Sequence, residues 1–103
     1  MTNLKEYRLR IAKAAVEDLD NIYRYISDSA DAETAKNVRG QLEAAMRSLR
    51  QIPKRQRTFF GEYRRLSVGS YVVIYQVGRD SVMIKGVFHA SMDIVSRLTD
   101  ESR

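Results

Sequence analysis

The chain has 103 residues and a formal net charge of +5, and it contains one histidine and no cysteine. This length fits a single domain, 1–103, and the lack of cysteine excludes disulfides and thiolate metal sites. No stretch approaches the roughly 20 apolar residues of a membrane-spanning helix, and no glycine-rich phosphate loop is present. We therefore expect a cytoplasmic protein that uses neither a metal nor a cofactor.

The N-terminal half predicts one strand and two helices. Apolar and charged residues alternate over 7–11, which is typical of a half-buried strand. Apolar residues then recur at helical spacing over 13–28, and again after Asp31, which suits a helix N-cap. Pro53 ends the second helix, because proline lacks an N–H donor and restricts the residue before it. Two such helices joined by a short link form an αα-hairpin.

The C-terminal half predicts a loop followed by a meander of strands. The loop covers 54–62, and the strands cover 63–68, 71–77 and 82–89. Gly69-Ser70 suits a type II′ hairpin turn, and the apolar run 71–75 favours a central strand covered on both faces. Residues from Asp93 onward predict a short helical turn against the sheet. The order β-α-α-β-β-β describes an α+β fold, with an antiparallel meander packed on the helical hairpin.

Positive charge is concentrated between Lys54 and Arg65, a stretch that holds five cations and one carboxylate, Glu62. Such a patch attracts nucleic acid, acidic proteins or both, and a solvated loop is the plain alternative. Arg64 and Arg65 are adjacent on a predicted strand, so their side chains point to opposite faces of the sheet.

His89, in the segment VFHASMD, is the residue that most resembles an acid–base catalyst. Ser91 and Asp93 follow it at alternate positions. However, the members of a catalytic triad normally converge from separate segments of the fold, so this spacing does not indicate one. A local hydrogen bond at the end of a strand is the simpler interpretation of His89.

Four segments together resemble the ParE branch of the RelE/ParE superfamily of type II toxin–antitoxin and plasmid stabilisation systems: AVEDLDNIYRYI, LEAAMRSLRQIP, YRRLSVGSYVVIYQV and VFHASMD. The resemblance covers nearly the whole chain and implies a RelE/ParE-like fold. RelE-like ribonucleases often carry an arginine after the aromatic residue that opens the second meander strand, and another arginine or a catalytic aromatic near the C-terminus. Here Val72 and Met92 stand near those places.

The resemblance implies a toxin that poisons DNA gyrase, blocks replication and is neutralised by a ParD-type antitoxin with an acidic, amphipathic C-terminal segment. It implies a binding protein rather than an enzyme, without sequence-specific contacts to nucleic acid. Two alternatives stay open. One is a ribosome-dependent mRNA endoribonuclease, and the other is a homologue that binds antitoxin but is not toxic.

Two sets of residues are candidates for binding, and no residue is a candidate for catalysis. The antitoxin is expected on the helical hairpin and the nearby sheet, with contacts from Tyr23, Tyr25, Met46 and Arg64. The target set follows from elimination and from charge. The basic stretch between Lys54 and Arg65 attracts anions, and the C-terminal tail carries more apolar residues than a terminus needs. Its members are Arg55, Arg57, Arg65, His89, Met92, Ile94 and Leu98.

Overall fold

The computed structural model describes residues 6–99, so the two ends of the predicted domain, 1–5 and 100–103, lie outside the described residues. Strand β1 (Arg8–Ile11) leads into helices α1 (Lys13–Ser29) and α2 (Ala32–Ser48), and a 3-10 turn (Pro53–Arg55) follows. The remaining elements are β2 (Thr58–Phe60), β3 (Tyr63–Val68), β4 (Tyr71–Val77), β5 (Ser81–His89) and the short helix α3 (Ile94–Thr99). Within 6–99, no helix combines the length and apolar character needed to cross a membrane.

The five strands form one mixed sheet in the order β1-β5-β4-β3-β2. Strands β3, β4 and β5 make the predicted antiparallel meander, and β1 runs parallel to β5. The expectation of a loop throughout 54–62 is wrong, because Thr58–Phe60 pairs with β3 as an edge strand. A strand of three residues is too short to show the alternation by which strands are predicted.

Strand β4 is covered on both faces, as its apolar run predicts. Val73 and Tyr75 pack in the core under the two long helices, whereas Val72 and Ile74 pack in a second core that α3 completes. All four side chains are inaccessible to solvent. The sheet therefore lies between two layers, the helical hairpin on one face and the short C-terminal helix on the other.

The turn between β3 and β4 matches the predicted two-residue hairpin loop. Gly69 has a φ of +59°, a value that glycine adopts without steric cost, and Ser70 does not have a positive φ. Since a type I′ turn needs positive φ at both central residues, this pattern favours type II′.

Asp31 caps α2, as predicted, and this cap gives stability a pH dependence. Its carboxylate accepts a hydrogen bond from the Thr34 N–H at 2.6 Å. Hydrogen bonds from Thr34 lower the pKa of Asp31 in the folded chain. A carboxyl pKa that is lower in the folded than in the unfolded state adds stability at neutral pH, and this contribution is lost as the pH falls through the acidic range.

We therefore expect Asp31→Ala to unfold at lower urea concentration at neutral pH, with a difference from the wild type that shrinks as the pH is lowered into the acidic range. Urea unfolding at a series of pH values measures this change. Asp28→Ala is the matched control, because Asp28 is an exposed aspartate at the end of α1. A difference that is the same at every pH would contradict the cap.

Candidate functional site

Three of the candidate binding residues are buried, and the expectation that their side chains lie at the surface is wrong. Met46 is in the core between the helices and the sheet, beside Leu42. Ile94 and Leu98 are in the second core, where they cover one face of β4. The apolar spacing of the tail therefore reflects packing on the sheet, and it leaves less apolar surface there than expected.

Tyr23 and Tyr25, both candidates for antitoxin contact, lie on different sides of α1. Two residues along an α-helix are separated by about 200°. The Tyr23 ring is half-buried and lies 5.6 Å from the guanidinium of Arg39 on α2. The Tyr25 side chain is 69% exposed and lines a groove on the other side of the helix. The structure therefore separates the two tyrosines.

The groove has a volume of about 530 Å³ and lies between α1, the C-terminal half of β5 and the segment that contains α3. We call it the α1–β5 groove. Its lining includes the apolar and aromatic residues Ile22, Tyr25, Tyr71 and Met92, and the polar residues Asp18, Asn21, His89, Ser91 and Arg97. Burial raises the pKa of the Tyr71 phenol above its ordinary value. Tyr25, His89 and Met92, assigned to two different binding sets from the sequence, are thus brought together.

The α1–β5 groove exists because β1 is shorter than β5. Pairing with β1 stops at Ile84, so the rest of β5 has a neighbouring strand only on the β4 side. A register shift follows, because Ile84 and Gly86 pair with the consecutive residues Tyr75 and Ile74. Asp18 of α1 accepts a hydrogen bond from the Val87 N–H at 2.9 Å, so a helix stands where another strand could have paired. The groove also contains three residues that the sequence pattern did not indicate, Asp18, Asn21 and Arg97, since strand pairing and not local pattern places them here.

His89 makes the local contacts that its position predicts. Its Nδ1 lies 2.7 Å from the Ser91 Oγ, and the Ser91 N–H donates to the same nitrogen at 3.2 Å. Its ring is nearly perpendicular to the Tyr71 ring, at a centroid distance of 5.5 Å. Asp93 instead accepts hydrogen bonds from Ser96 at the start of α3, and those bonds lower the pKa of Asp93. The H-x-S-x-D segment is therefore built as a strand end and a helix cap.

The backbone of the basic segment, residues 54–57, is held against the sheet by hydrogen bonds from side chains of β3 and β4. The Tyr75 hydroxyl is buried and donates to the Pro53 carbonyl at 2.7 Å. Burial raises the pKa of Tyr75. The Arg64 guanidinium donates to the carbonyls of Lys54 and Gln56. Arg64, a candidate for antitoxin contact, is therefore engaged in holding this backbone.

The basic segment presents its own cations to solvent. Arg55 and Arg57 are both exposed. Arg65 lies on the sheet face opposite to Arg64, as alternation predicts, and its guanidinium lies 5.5 Å from the Phe59 ring centroid. Among residues 6–99, no group of three or more histidine, aspartate or glutamate side chains is placed to hold a metal ion.

We expect Tyr75→Phe to destabilise the chain by about 1–3 kcal/mol, because it leaves the buried Pro53 carbonyl without its donor. Urea unfolding measures the change. Tyr63→Phe is the control, since it removes a hydroxyl from a half-buried ring on the other face of the sheet. Equal stabilities of Tyr75→Phe and the wild type would show that the hydrogen bond adds nothing to folding.

A model of the ParE toxin family of type II toxin–antitoxin systems matches residues 9–94. Toxin ParE1 of Caulobacter vibrioides is 32% identical over 98 residues, which span 92% of this chain and 99% of that protein. The chain belongs to the ParE toxin family. Membership confirms the family that the sequence motifs indicated, and the matched region contains the basic segment and most of the lining of the α1–β5 groove.

Solved structures share the fold of this ParE-family chain at low sequence identity. The chromosomal ParDE system of P. aeruginosa aligns with a TM-score of 0.75 at 17% identity, over 82% of this chain and 96% of the other. The RelBE2 toxin–antitoxin complex of Mycobacterium tuberculosis aligns with a TM-score of 0.57 at 18% identity, over 86% and 97%. The RelB–RelE complex of Methanococcus jannaschii gives 0.52 at 21%, over 88% and 99%. These likenesses confirm the predicted RelE/ParE-like fold.

Proposed function

We propose that this chain poisons DNA gyrase and so blocks replication in the cytoplasm, and that a ParD-type antitoxin neutralises it. The observation that carries the proposal is the match to the ParE toxin family over residues 9–94. A protein partner is supported by the structural neighbours, which come from a ParDE system and from two complexes of a toxin with its antitoxin.

The toxin acts by binding and not by catalysis. At the position where RelE-like ribonucleases often carry an arginine, the side chain of Val72 is fully buried in the second core. Met92, near the other such position, is 38% exposed and carries no charge. Neither side chain can hold a phosphate or stabilise charge on it. Arg65 alone does not supply the groups that would activate a 2′-hydroxyl and protonate a leaving oxygen.

The basic segment is the surface that best suits the target. A gyrase–DNA complex is anionic, and lysine and arginine side chains bind phosphates in any sequence. Arg55 and Arg57 are exposed while the backbone beneath them is held by Tyr75 and Arg64. A segment that is ordered before binding loses less conformational entropy when it binds.

We expect that expression of the chain without antitoxin stops DNA synthesis, causes filamentation and leaves gyrase-dependent DNA breaks. Translation should continue at first. Labelled thymidine and labelled amino acid incorporation, followed by microscopy, measure these effects. Co-expression of the cognate antitoxin is the control and should restore growth.

Two outcomes would replace this proposal. Codon-positioned mRNA cleavage on translating ribosomes that disappears in Arg65→Ala would show an endoribonuclease. Normal growth during induction of a folded chain that binds its antitoxin would show a homologue without toxicity.

A further inference from the structure

We infer that the α1–β5 groove is the docking site of the antitoxin, and that it receives an apolar side chain next to a carboxylate from the acidic segment of that partner. The inference rests on the proposed function, since it requires that an antitoxin exists. It moves His89 and Met92 from the expected target surface to the antitoxin surface.

Exposed apolar side chains line the groove from α1 and from the segment before α3. Tyr25 lies on α1 and is 69% exposed, and Met92 lies before α3 and is 38% exposed. Half-buried Ile22 and Tyr71 line the same groove. Tyrosine is enriched among the residues that dominate binding energy at protein interfaces, and methionine adapts to the shape of a partner. An apolar side chain inserted here would bury surfaces that the free chain leaves in water.

The charged residues of the groove favour one orientation of a bound acidic segment. Arg97 lines the α3 side, is exposed, and makes no ion pair with any residue of the described part of the chain. Asp18, the carboxylate of the groove, lies on the α1 side and accepts the Val87 N–H. An acidic side chain is therefore attracted at Arg97 and repelled at Asp18. The same hydrogen bond occupies the Val87 N–H, which an added strand would need, so we expect the partner to insert side chains and not to add a strand.

The charges also decide between the antitoxin and other occupants. A second copy of the chain would bring another net charge of +5. Like charges brought together at an interface oppose association. The anionic gyrase–DNA complex suits the basic segment, which is attached at the β2 and β3 side of the sheet. Strand β3 is two places from β5, roughly 10 Å away at the usual strand spacing. The groove is thus left to a partner that is both acidic and amphipathic.

The test measures the dissociation constant of the full-length chain for its full-length cognate antitoxin. We expect Tyr25→Ala to weaken binding by about thirty-fold, as for the loss of an interface anchor. Arg97→Glu should weaken it by about tenfold, mostly through faster dissociation where the pair is buried.

Two control variants match these changes outside the groove. Val16→Ala removes an exposed apolar side chain from α1, nine residues before Tyr25 and so on the opposite side of the helix. Arg47→Glu makes the same change of charge at the exposed end of α2. Both should bind within about twofold of the wild type, since surface changes away from an interface have small effects.

A photo-crosslinking amino acid placed at Tyr25 gives a second measurement that does not depend on affinity, with the same substitution at Val16 as its control. A crosslink from Tyr25 to the antitoxin is expected. Wild-type affinity in both Tyr25→Ala and Arg97→Glu, or a crosslink to a second copy of the chain, would contradict the assignment of the groove to the antitoxin. Neither result would contradict the proposed function. If the wild type itself does not bind, the proposed function fails, and this inference fails with it.

Discussion

Ending the chain after Asp93, which removes α3, is expected to abolish cooperative thermal unfolding. Ile94 and Leu98 of α3 complete the second core, and without them the buried side chains of Val72 and Ile74 in β4 would face water. Fully burying one such side chain is worth roughly 1.5–3 kcal/mol, and small domains have only about 5–15 kcal/mol of net stability. Circular dichroism and calorimetry measure the loss.

Point variants of α3 separate packing from chain length. Ile94→Ala and Leu98→Ala each remove a buried side chain and should cost about 2–5 kcal/mol. Val95→Ala removes an exposed side chain from the same helix and should change stability by about 0.5 kcal/mol or less. A truncated chain that still melts cooperatively near the wild-type temperature would show that the second core does not need α3.

The contribution of α3 to folding also affects how a loss of toxicity is interpreted. If α3 is needed for folding, a truncated toxin loses activity because it unfolds, and the loss does not locate a target surface. Only variants that stay folded and still bind antitoxin can do so. Val95 meets both conditions, because it is an exposed tail residue that does not line the α1–β5 groove.

The helices and the meander could be predicted from the sequence because their signals are local. Asp31 caps α2 through Thr34, three residues away, and Gly69 supplies the positive φ of the hairpin turn. The apolar run of β4 predicts burial on both faces whatever covers them. Strand β2 could not be predicted in this way, because three residues form a strand there only through pairing with β3.

Met46 was expected at the surface as an antitoxin contact, but it is buried, and helix geometry explains why the sequence did not indicate this. Helical spacing from Leu42 allows either Ala45 or Met46 as the next core residue, since 3.6 residues per turn lies between three and four. In the folded chain Met46 is buried and Ala45 is only half-buried. The larger apolar side chain fills the space between α2 and the sheet, a choice that packing makes and that periodicity leaves open.

The α1–β5 groove could not be predicted, because it depends on where one strand stops pairing with another. Tyr25, His89 and Met92 were visible as candidates, but nothing local brings them together. Their meeting follows from the end of β1 at Ile11, beyond which β5 has no strand on that side.

We expect that the double variant Arg55→Ala, Arg57→Ala no longer arrests growth, although it still folds and still binds the antitoxin. Both side chains are exposed, so their removal costs little stability. A hydrogen bond to a charged group is worth about 1.5–3 kcal/mol, so losing two phosphate contacts should weaken binding to gyrase–DNA by roughly 100-fold or more. Colony counts after induction and the dissociation constant for gyrase on DNA measure the effect.

The control is Arg8→Ala, Arg10→Ala, which removes the same charge from exposed positions on β1, at the opposite edge of the sheet. If net charge alone attracted the toxin to its target, both double variants would lose toxicity to the same extent. Raising the salt concentration would then weaken target binding equally in both variants. If placement matters, the β1 variant stays toxic, and Tyr75→Phe, which keeps every cation but frees the Pro53 carbonyl, loses part of its toxicity. A folded Arg55→Ala, Arg57→Ala protein that binds antitoxin and still arrests growth fully would mean that the basic segment does not contact the target.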